Sequence, residues 1–318
     1  MNIQIIVPCY NEETIIKKTN QKLLNTINNF DSNFKFNILY INDGSSDKTL
    51  QILKNINENY INTDYISFSR NFGKEAAMYA GLKNSVNFDA VIIIDSDLQH
   101  PPELIPFMIE EFTKGYDQVI AKRNRVGESL IRKLPTRFYY WLINKFVDIP
   151  IPDGIGDFRL LSNKTVNSIV ALNETQRFSK GIFSWVGYNQ KIIKYDNVER
   201  QSGNSKWSAI KLLDYGVDGI ISFNNKPLRL MLYLGLITFF ISLLYIIITF
   251  IQILTKGISE PGYFTIIFSI LFLGSVQLIS LGIVGEYIGR IYYEVKARPH
   301  YLIDEKSSTV GRIENENE

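Results

Sequence analysis

Two aspartates stand directly after a short aliphatic run in the first third of the chain. Residues 91–94 are Val-Ile-Ile-Ile, which is typical of a strand buried on both faces, and Asp95 and Asp97 follow at once. Open α/β sheets bind ligands at the carboxyl ends of their strands, and a turn there lets both carboxylates face one cation. Hard oxygen ligands of this kind suit Mg²⁺ or Mn²⁺, which bind through one or two carboxylates together with substrate phosphates. The spacing indicates a metal and phosphate site, although a lone D-x-D also occurs at many solvated strand ends.

The residues around this motif predict a sheet whose strands alternate with helices. Apolar runs of strand length recur through the first 160 residues or so, separated by segments of helical character. Such alternation is typical of a mainly parallel sheet with right-handed crossovers. Polar clusters follow several strands, as expected for a site at one edge of the sheet. The predicted strands are residues 3–7, 36–41, 65–68, 91–94 and 118–121, and the predicted helices are residues 12–28, 48–57 and 75–83.

The turn after the second predicted strand carries a second set of polar residues. Asp43 stands at the strand end, and Gly44 allows a positive φ at the next position. Asp47 precedes the helix at residues 48–57, and we expect its carboxylate to cap that helix.

Composition excludes some classes of protein. The chain has 318 residues, a net charge of +2 and one cysteine, Cys9. The balanced charge argues against a nucleic-acid partner, and a single cysteine excludes an internal disulfide and suits a reducing compartment. The first apolar run, residues 3–7, has only strand length and is followed by Pro8, so we expect a strand there rather than a secretory signal.

Two long stretches in the last third lack charged residues. They are residues 230–254 and about 263–285, and each exceeds the roughly 20 residues that cross a bilayer as a helix. The alternative is a pair of buried helices in a soluble protein, which two uncharged runs of this length disfavour. Lys and Arg residues flank the outer ends of the pair, so the positive-inside rule predicts a transmembrane hairpin with both ends in the cytoplasm. We therefore expect a multi-pass protein of the cell membrane, with a cytoplasmic domain at residues 1–226, a hairpin at residues 227–290 and a cytoplasmic tail at residues 291–318.

Five motifs occur in an order that resembles a known family. They are VPCYNEE at residues 7–13, NDGSSD at 42–47, SRNFGKEAA at 69–77, DSDLQHPPE at 95–103 and GDFRLL at 156–161. Together they resemble the inverting glycosyltransferases of family 2, which have a Rossmann-like GT-A fold. Within that family, the two C-terminal apolar stretches are similar to the polyprenyl-phosphate glycosyltransferases, namely the bactoprenol glucosyltransferases and their relatives the dolichyl-phosphate-mannose synthases. One departure is Asn42, where many relatives have Asp, while Asp43 keeps the second carboxylate.

The resemblance implies roles for particular residues. Asp157 is the usual candidate base, but a phosphate monoester with a second pKa near 6 is already mostly ionised at neutral pH, so this residue could instead position the acceptor or the metal. The resemblance places a divalent ion, Mg²⁺ or Mn²⁺, at Asp95, Asp97 and Gln99. It assigns the donor to Pro8, Tyr10, Glu12, Asp43 and Asp95, and the reaction to Asp157, Arg123 and Arg137. We also expect Lys74 and Lys206 to contact the donor.

Two further segments have the character of membrane-surface helices. Basic residues follow the fifth strand, and the helix predicted at residues 136–146 has apolar residues at helical spacing, so its cations could reach lipid phosphate. A solvated basic face is the alternative. The helix predicted at residues 208–221 has an apolar stripe beside Trp207 that suits either the headgroup zone or packing against the catalytic domain.

The expected function is transfer of a hexose, glucose or N-acetylglucosamine, from a UDP-sugar to undecaprenyl phosphate with inversion at the anomeric carbon. Membrane lipids are the other expected partners, and the oligomeric state stays open, a homo-oligomer included. A processive polysaccharide synthase is one alternative, but the chain has no Q-x-x-R-W motif. A non-enzymatic lipid-glycan flippase or scaffold is another, but it would not need five motifs at strand ends. The motifs do not identify the sugar.

Overall fold

A computed structural model describes residues 1–124, 155–175, 177–195, 226–256 and 262–308. The helices predicted at residues 136–146 and 208–221 lie outside the described residues, as do Arg137 and Lys206. Within those ranges, eight strands form one sheet with the order β7-β5-β6-β4-β1-β2-β3-β8. The strands are β1 (Asn2–Cys9), β2 (Lys35–Asn42), β3 (Thr63–Phe68), β4 (Ala90–Ile93), β5 (Gln118–Arg123), β6 (Ile155–Ser162), β7 (Gln190–Tyr195) and β8 (Ile303–Lys306).

The centre of the sheet is parallel, as the sequence predicted. β1 pairs in parallel with β2 and β4, and β2 pairs in parallel with β3. Helices connect these strands, so their carboxyl ends meet at one edge of the sheet. The helices are α1 (Ile16–Ile27), α2 (Thr49–Asn59), α3 (Lys74–Lys83), α4 (Ile105–Thr113) after a short 3₁₀ turn (Pro102–Leu104), α5 (Asn163–Val170), α6 (Ser179–Trp185), α7 (Lys226–Lys256) and α8 (Tyr263–Lys296).

Two of the local predictions can be checked directly. Gly44 has a φ of 59°, in the left-handed region that favours glycine. A Cβ there would lie 2.2 Å from the backbone carbon of Arg70, so the turn has no room for a side chain. The Asp47 carboxylate accepts hydrogen bonds from the backbone N–H and the hydroxyl of Thr49, the first residue of α2. Both predictions are confirmed.

Apolar cores lie on the two faces of the sheet. One face packs β1 residues such as Ile3 and Ile5 against α1, α2 and α4. The other packs Ile6 against α3, α5 and α6. Alternate residues of β1 serve opposite faces, which is why the strand is an almost unbroken aliphatic run. Each fully buried aliphatic side chain contributes about 1.5–3 kcal/mol, so these two layers fix the strand ends in place.

Strand β6 contributes a segment that the strand prediction missed. It pairs antiparallel with both β4 and β5, with Ile93 opposite Arg159. Continuing that register by two residues sets Asp95 opposite Asp157. The insertion of this antiparallel strand beside β4 brings the GDFRLL motif to the D-x-D motif.

The chain returns to the sheet after α8. Strand β8 pairs antiparallel with β3 at the sheet edge. Tyr301, just before it, stacks on Phe68 with ring centroids 4.8 Å apart and an interplanar angle of 16°. Just after it, Ser307 donates a hydrogen bond of 2.7 Å to the buried Asp64. Part of the segment predicted as a tail is therefore an edge strand of the sheet, which the sequence analysis did not predict.

The two long helices are α7, with 31 residues, and α8, with 34 residues. At 1.5 Å per residue, each is about 45–50 Å long, which exceeds the hydrocarbon thickness of a bilayer. Large apolar side chains on both helices are exposed, among them Phe240, Leu254 and Leu278. Among the described residues, one helical segment, Phe272–Lys296, is long and apolar enough to span a membrane by its length and composition.

Candidate active site

The D-x-D motif lies in a turn that the fold holds in a fixed conformation. Ile94 donates its backbone N–H to Ile6, and the chain leaves the sheet at Asp95. Leu98 adopts a φ of 57°, which is unusual for a residue with a branched side chain, and its side chain is only 3% exposed. The Thr19 hydroxyl of α1 donates to the Ser96 carbonyl at 2.6 Å. Burial of Leu98 and the bond from α1 thus hold the turn that carries both carboxylates.

Lys74 lies between two of the predicted site carboxylates. Its ammonium is 2.5 Å from Asp95 Oδ1 and 2.6 Å from Asp157 Oδ2. It is the first residue of α3, and Gly73 before it has a φ of 98°, which turns the chain into the helix. Burial lowers the pKa of Lys74, but the carboxylates of Asp157 and Asp95 outweigh burial and raise it. Lys74 is therefore a fixed cation at the carboxyl end of β4, beside the first residues of β6.

The same cation sets the ionisation of both carboxylates. Burial raises the pKa of Asp95, but Lys74 and then His100 hold it well below its usual range. Burial also raises the pKa of Asp157, and the charge of Lys74 again brings it below its ordinary value. Both groups are ionised at neutral pH. A carboxylate with a lowered pKa is a weak base, which disfavours proton abstraction by Asp157.

His100 contacts the Asp95 carboxylate oxygen that does not pair with Lys74. Its Nε2 lies 3.3 Å from Asp95 Oδ2, and its Nδ1 lies 2.7 Å from the hydroxyl of Tyr195 at the end of β7. The His100 ring packs on Phe158 with centroids 5.3 Å apart. Sequence analysis missed both His100 and Tyr195. The first lies inside the D-x-D motif segment, whereas Tyr195 is the last residue of β7, a strand that no sequence pattern predicted.

Asp43 holds the loop that leads to Lys74. Its carboxylate accepts hydrogen bonds from the backbone N–H of Phe72 at 2.6 Å and of Gly73 at 2.9 Å. Asp43 is only 4% exposed, and burial raises its pKa while the two N–H donors oppose that rise. The neighbouring Asn42 donates to Ser67 at 2.9 Å, so it joins the ends of β2 and β3. The structure thus gives Asp43 a role in positioning Lys74, in addition to the donor contact predicted for it.

Hydrogen bonds join the loop after β1 to the loop after β2. Asn11, at a φ of 53°, donates its N–H to the Ser45 hydroxyl and accepts from the N–H of Ser46. Glu12 donates its backbone N–H to Thr49 at 2.9 Å. Of the predicted donor residues in this region, Pro8 is buried within β1 and Tyr10 is 37% exposed at its end. The exposed ring of Tyr10 has the surface needed to stack on a nucleoside base.

Arg123 ends strand β5 beside the site. It lies opposite Tyr195 in the parallel pairing of β5 with β7. Its Nε is buried and has no hydrogen-bond partner among the described residues. Burial raises the pKa of Tyr195 to about 12, with the Arg123 charge acting in the opposite direction. The sheet therefore brings Arg123 near the D-x-D site through Tyr195.

The oxygen ligands at the D-x-D turn fit a Mg²⁺ or Mn²⁺ ion that a substrate helps to bind. Within the described residues, no group of three or more His, Cys, Asp and Glu side chains is arranged to hold a metal alone. Asp95 and Asp97 supply oxygen ligands, and Gln99 follows in the same turn, donating its N–H to Asp97 at 3.1 Å. Mg²⁺ usually keeps several waters and binds through one or two carboxylates plus phosphates, so two carboxylates are a sufficient protein contribution.

Comparison with known proteins identifies the class. The family model for glycosyl transferase family 2 matches residues 4–169, and a model described as the GtrB C-terminal hairpin matches residues 226–291. The chain belongs to glycosyltransferase family 2 and carries the two-helix hairpin domain after its catalytic domain. The mainly parallel sheet, with its D-x-D motif at the end of β4, is the GT-A fold expected from the sequence.

Similar proteins cover nearly the whole chain. The putative glycosyltransferase CsbB of Bacillus subtilis (strain 168) is 54% identical over 95% of this chain and 91% of its own length. The bactoprenol glucosyl transferase of Shigella phage SfX is 42% identical over 95% of this chain and 99% of its own. Among solved structures, S. aureus TarS with UDP-GlcNAc aligns with a TM-score of 0.46 and 16% identity, over 70% of this chain and 66% of that one.

Proposed function

We propose that this glycosyltransferase moves a hexose, glucose in the first instance, from a UDP-sugar to a polyprenyl phosphate such as undecaprenyl phosphate. The observation that carries the proposal is the 42% identity to a bactoprenol glucosyl transferase along 95% of the chain, hairpin included. The site adds chemical support. A fixed cation and two D-x-D carboxylates at one sheet edge suit a diphosphate leaving group and an ionised phosphate acceptor.

The chemistry follows from the charges at the site. A divalent ion held by Asp95 and Asp97 would stabilise the negative charge of the leaving diphosphate without proton transfer. Lys74 supplies a second positive charge beside Asp95, and it also pairs with Asp157. Asp157, ionised and paired with Lys74, positions that cation rather than accepting a proton. In-line attack by the lipid phosphate inverts the sugar, so an α-linked donor gives a β-linked lipid phosphate.

The hairpin would anchor this reaction at the membrane. Strand β8, which follows α8, pairs with β3 of the catalytic sheet. Glu294 near the end of α8 accepts hydrogen bonds from the N–H and hydroxyl of Thr175. Both contacts hold the end of α8 against the catalytic domain. This return of the chain to the catalytic domain supports two crossings of the membrane. We propose that α7 and α8 both span the cytoplasmic membrane and that the catalytic domain faces the cytoplasm.

A donor screen tests the function. Purified protein in detergent is incubated with undecaprenyl phosphate, Mn²⁺ and each of several UDP-sugars, and the lipid product is analysed by mass spectrometry. We expect one hexose per lipid and a preference for UDP-glucose. Longer glycans would favour a processive synthase, and binding of lipid without binding of UDP would favour a flippase or scaffold.

Cysteine labelling tests the topology. A cysteine placed at Ser259, between the two predicted spans, should react with a membrane-impermeant thiol reagent in intact cells. Cys9 provides the internal control because it is 3% exposed and burial raises the pKa of its thiol. A cysteine at Ser308, after β8, should stay unlabelled until the cells are opened. Labelling of Ser308→Cys from outside would mean that only one segment crosses.

The basic residues after β5 give a prediction for the acceptor. Arg123→Ala and Arg137→Ala should each lower kcat/KM for the lipid by roughly ten- to a hundredfold, because a lost hydrogen bond to a charged group costs about 1.5–3 kcal/mol. Lys at either position should restore part of the loss, since it keeps the charge but not the planar fork. Arg132→Ala is the matched control, and its effect should fade in neutral detergent. Unchanged kcat/KM for both alanine variants would show that this segment only faces the membrane.

A further inference from the structure

We propose that His100 and Tyr195 form a positioning pair that holds Asp95 in the orientation required to bind the divalent ion. This inference rests on the proposed function, since it concerns the metal site of the same reaction. Neither residue is assigned a role by the family motifs considered above. Both are present in the described part of the chain, and each contact is direct.

The hydrogen bonds of the pair run in one direction, from Tyr195 through His100 to Asp95. A carboxylate only accepts, so the 3.3 Å contact with Asp95 Oδ2 requires a proton on His100 Nε2. In the neutral imidazole, Nδ1 is then an acceptor, and the Tyr195 hydroxyl 2.7 Å away donates to it. Tyr195 thereby selects the tautomer that can reach Asp95. Carboxylates that bind a metal are commonly hydrogen-bonded by outer partners of this kind, which fix the orientation of the ligand.

The surroundings keep the pair in place. Tyr195 is 6% exposed, and the His100 side chain is 13% exposed. The ring of His100 lies against Phe158, and a Cβ on Gly156 would come within 3.4 Å of its Cε1, so the ring fits a narrow slot in β6. Such packing restricts the His100 ring to one orientation, as a positioning residue requires.

The geometry also divides the two oxygens of Asp95 between separate partners. Oδ2 faces His100, whereas Oδ1 contacts Lys74. Without His100, the carboxylate could turn both oxygens towards Lys74 and would lose the orientation set by β6 and β7. Because Tyr195 also lies opposite Arg123, the same tyrosine links the metal turn to the residue predicted to hold phosphate.

Binding of Mn²⁺ in the presence of UDP, measured by electron paramagnetic resonance on the purified full-length protein, tests the proposal. We expect His100→Ala to weaken Mn²⁺ binding by about 10- to 100-fold, the usual effect of removing such an outer partner. His100→Gln should recover part of this loss, since its amide can donate from near the Nε2 position. Tyr195→Phe should show a smaller loss, and adding it to His100→Ala should cause no further loss, because the two act through one contact.

Tyr40→Phe is the matched control. The Tyr40 hydroxyl also donates a buried hydrogen bond, but its acceptor is Asn20 of α1, at 2.9 Å, rather than His100. Its loss should lower the melting temperature and leave Mn²⁺ binding unchanged. Unchanged Mn²⁺ binding in folded His100→Ala, or strictly additive losses in the double variant, would overturn the positioning role alone. If the wild-type protein binds UDP but binds no Mn²⁺ in its presence, the metal site of the proposed function is overturned as well.

Discussion

Replacing Asp97 by Asn is expected to abolish sugar transfer and leave the fold intact. The substitution removes a charged ligand from the ion that would stabilise the leaving diphosphate, and such stabilisation amounts to several kcal/mol, or about a thousandfold in rate. Asn can still accept the hydrogen bond from Gln99 N–H, so the turn keeps that contact. The measurement is initial rate with UDP-sugar and lipid acceptor, together with thermal unfolding.

The same strand offers a control. Asp89 precedes β4 at its opposite end, where its carboxylate accepts from the N–H of Asn2. Asp89→Asn should therefore leave the rate close to that of the wild type. EDTA should inactivate the wild-type enzyme, and Mn²⁺ or Mg²⁺ should restore it. Full activity in EDTA, or in Asp97→Asn, would refute the assignment of the D-x-D motif to a metal.

Ending the chain after Pro299 is expected to destabilise the catalytic domain. The truncation removes β8, the stacking of Tyr301 on Phe68 and the Ser307 hydrogen bond to the buried Asp64. An aromatic pair contributes about 0.5–1.5 kcal/mol and each hydrogen bond a similar amount, and Asp64 would also lose a buried partner. We expect a loss of about 3–6 kcal/mol, which is roughly 10 °C or more in melting temperature for a domain of this size.

A chain ending at Ser308 is the control for this truncation. It keeps the strand, the stacked ring and the serine, and so it should melt with the full-length protein. Tyr301→Ala should fall between the two. Equal melting temperatures for chains ending at Pro299 and at Ser308 would show that β8 contributes nothing to the catalytic domain.

The central parallel strands could be predicted because each contains a short, mostly apolar run that is buried. The helix predicted from residue 12 begins later, at Ile16, because Asn11 lies in a loop that is hydrogen-bonded to Ser45. That contact joins residues distant in sequence, and no local pattern reports it.

Strands β6 and β8 were missed because neither is a continuous apolar run. β6 includes Gly156, Asp157 and Arg159, which interrupt the apolar pattern, and Asp157 belongs to the site. β8 is short and charged, and it is a strand only because the edge of β3 is available.

The site, like the fold, could be predicted only in part from the sequence. The carboxylates at the end of β4 follow from strand geometry, and Asp157 followed from its motif. The bridging position of Lys74 depends on the way Asp43 holds residues 72 and 73, which only the folded loop reveals. His100 requires Tyr195 from a distant strand, so its role could not be inferred from its own segment.

The pairing of β8 with β3 has a consequence for biosynthesis. The ribosome makes β3 early and β8 only after both helices of the hairpin, so the edge of β3 lacks its neighbour during most of translation. Open strand edges invite pairing with other chains, and here the edge closes only when the segment after the hairpin has emerged. Completion of the catalytic sheet therefore follows synthesis of the hairpin, and a nascent chain that stalls within the hairpin carries an unfinished sheet.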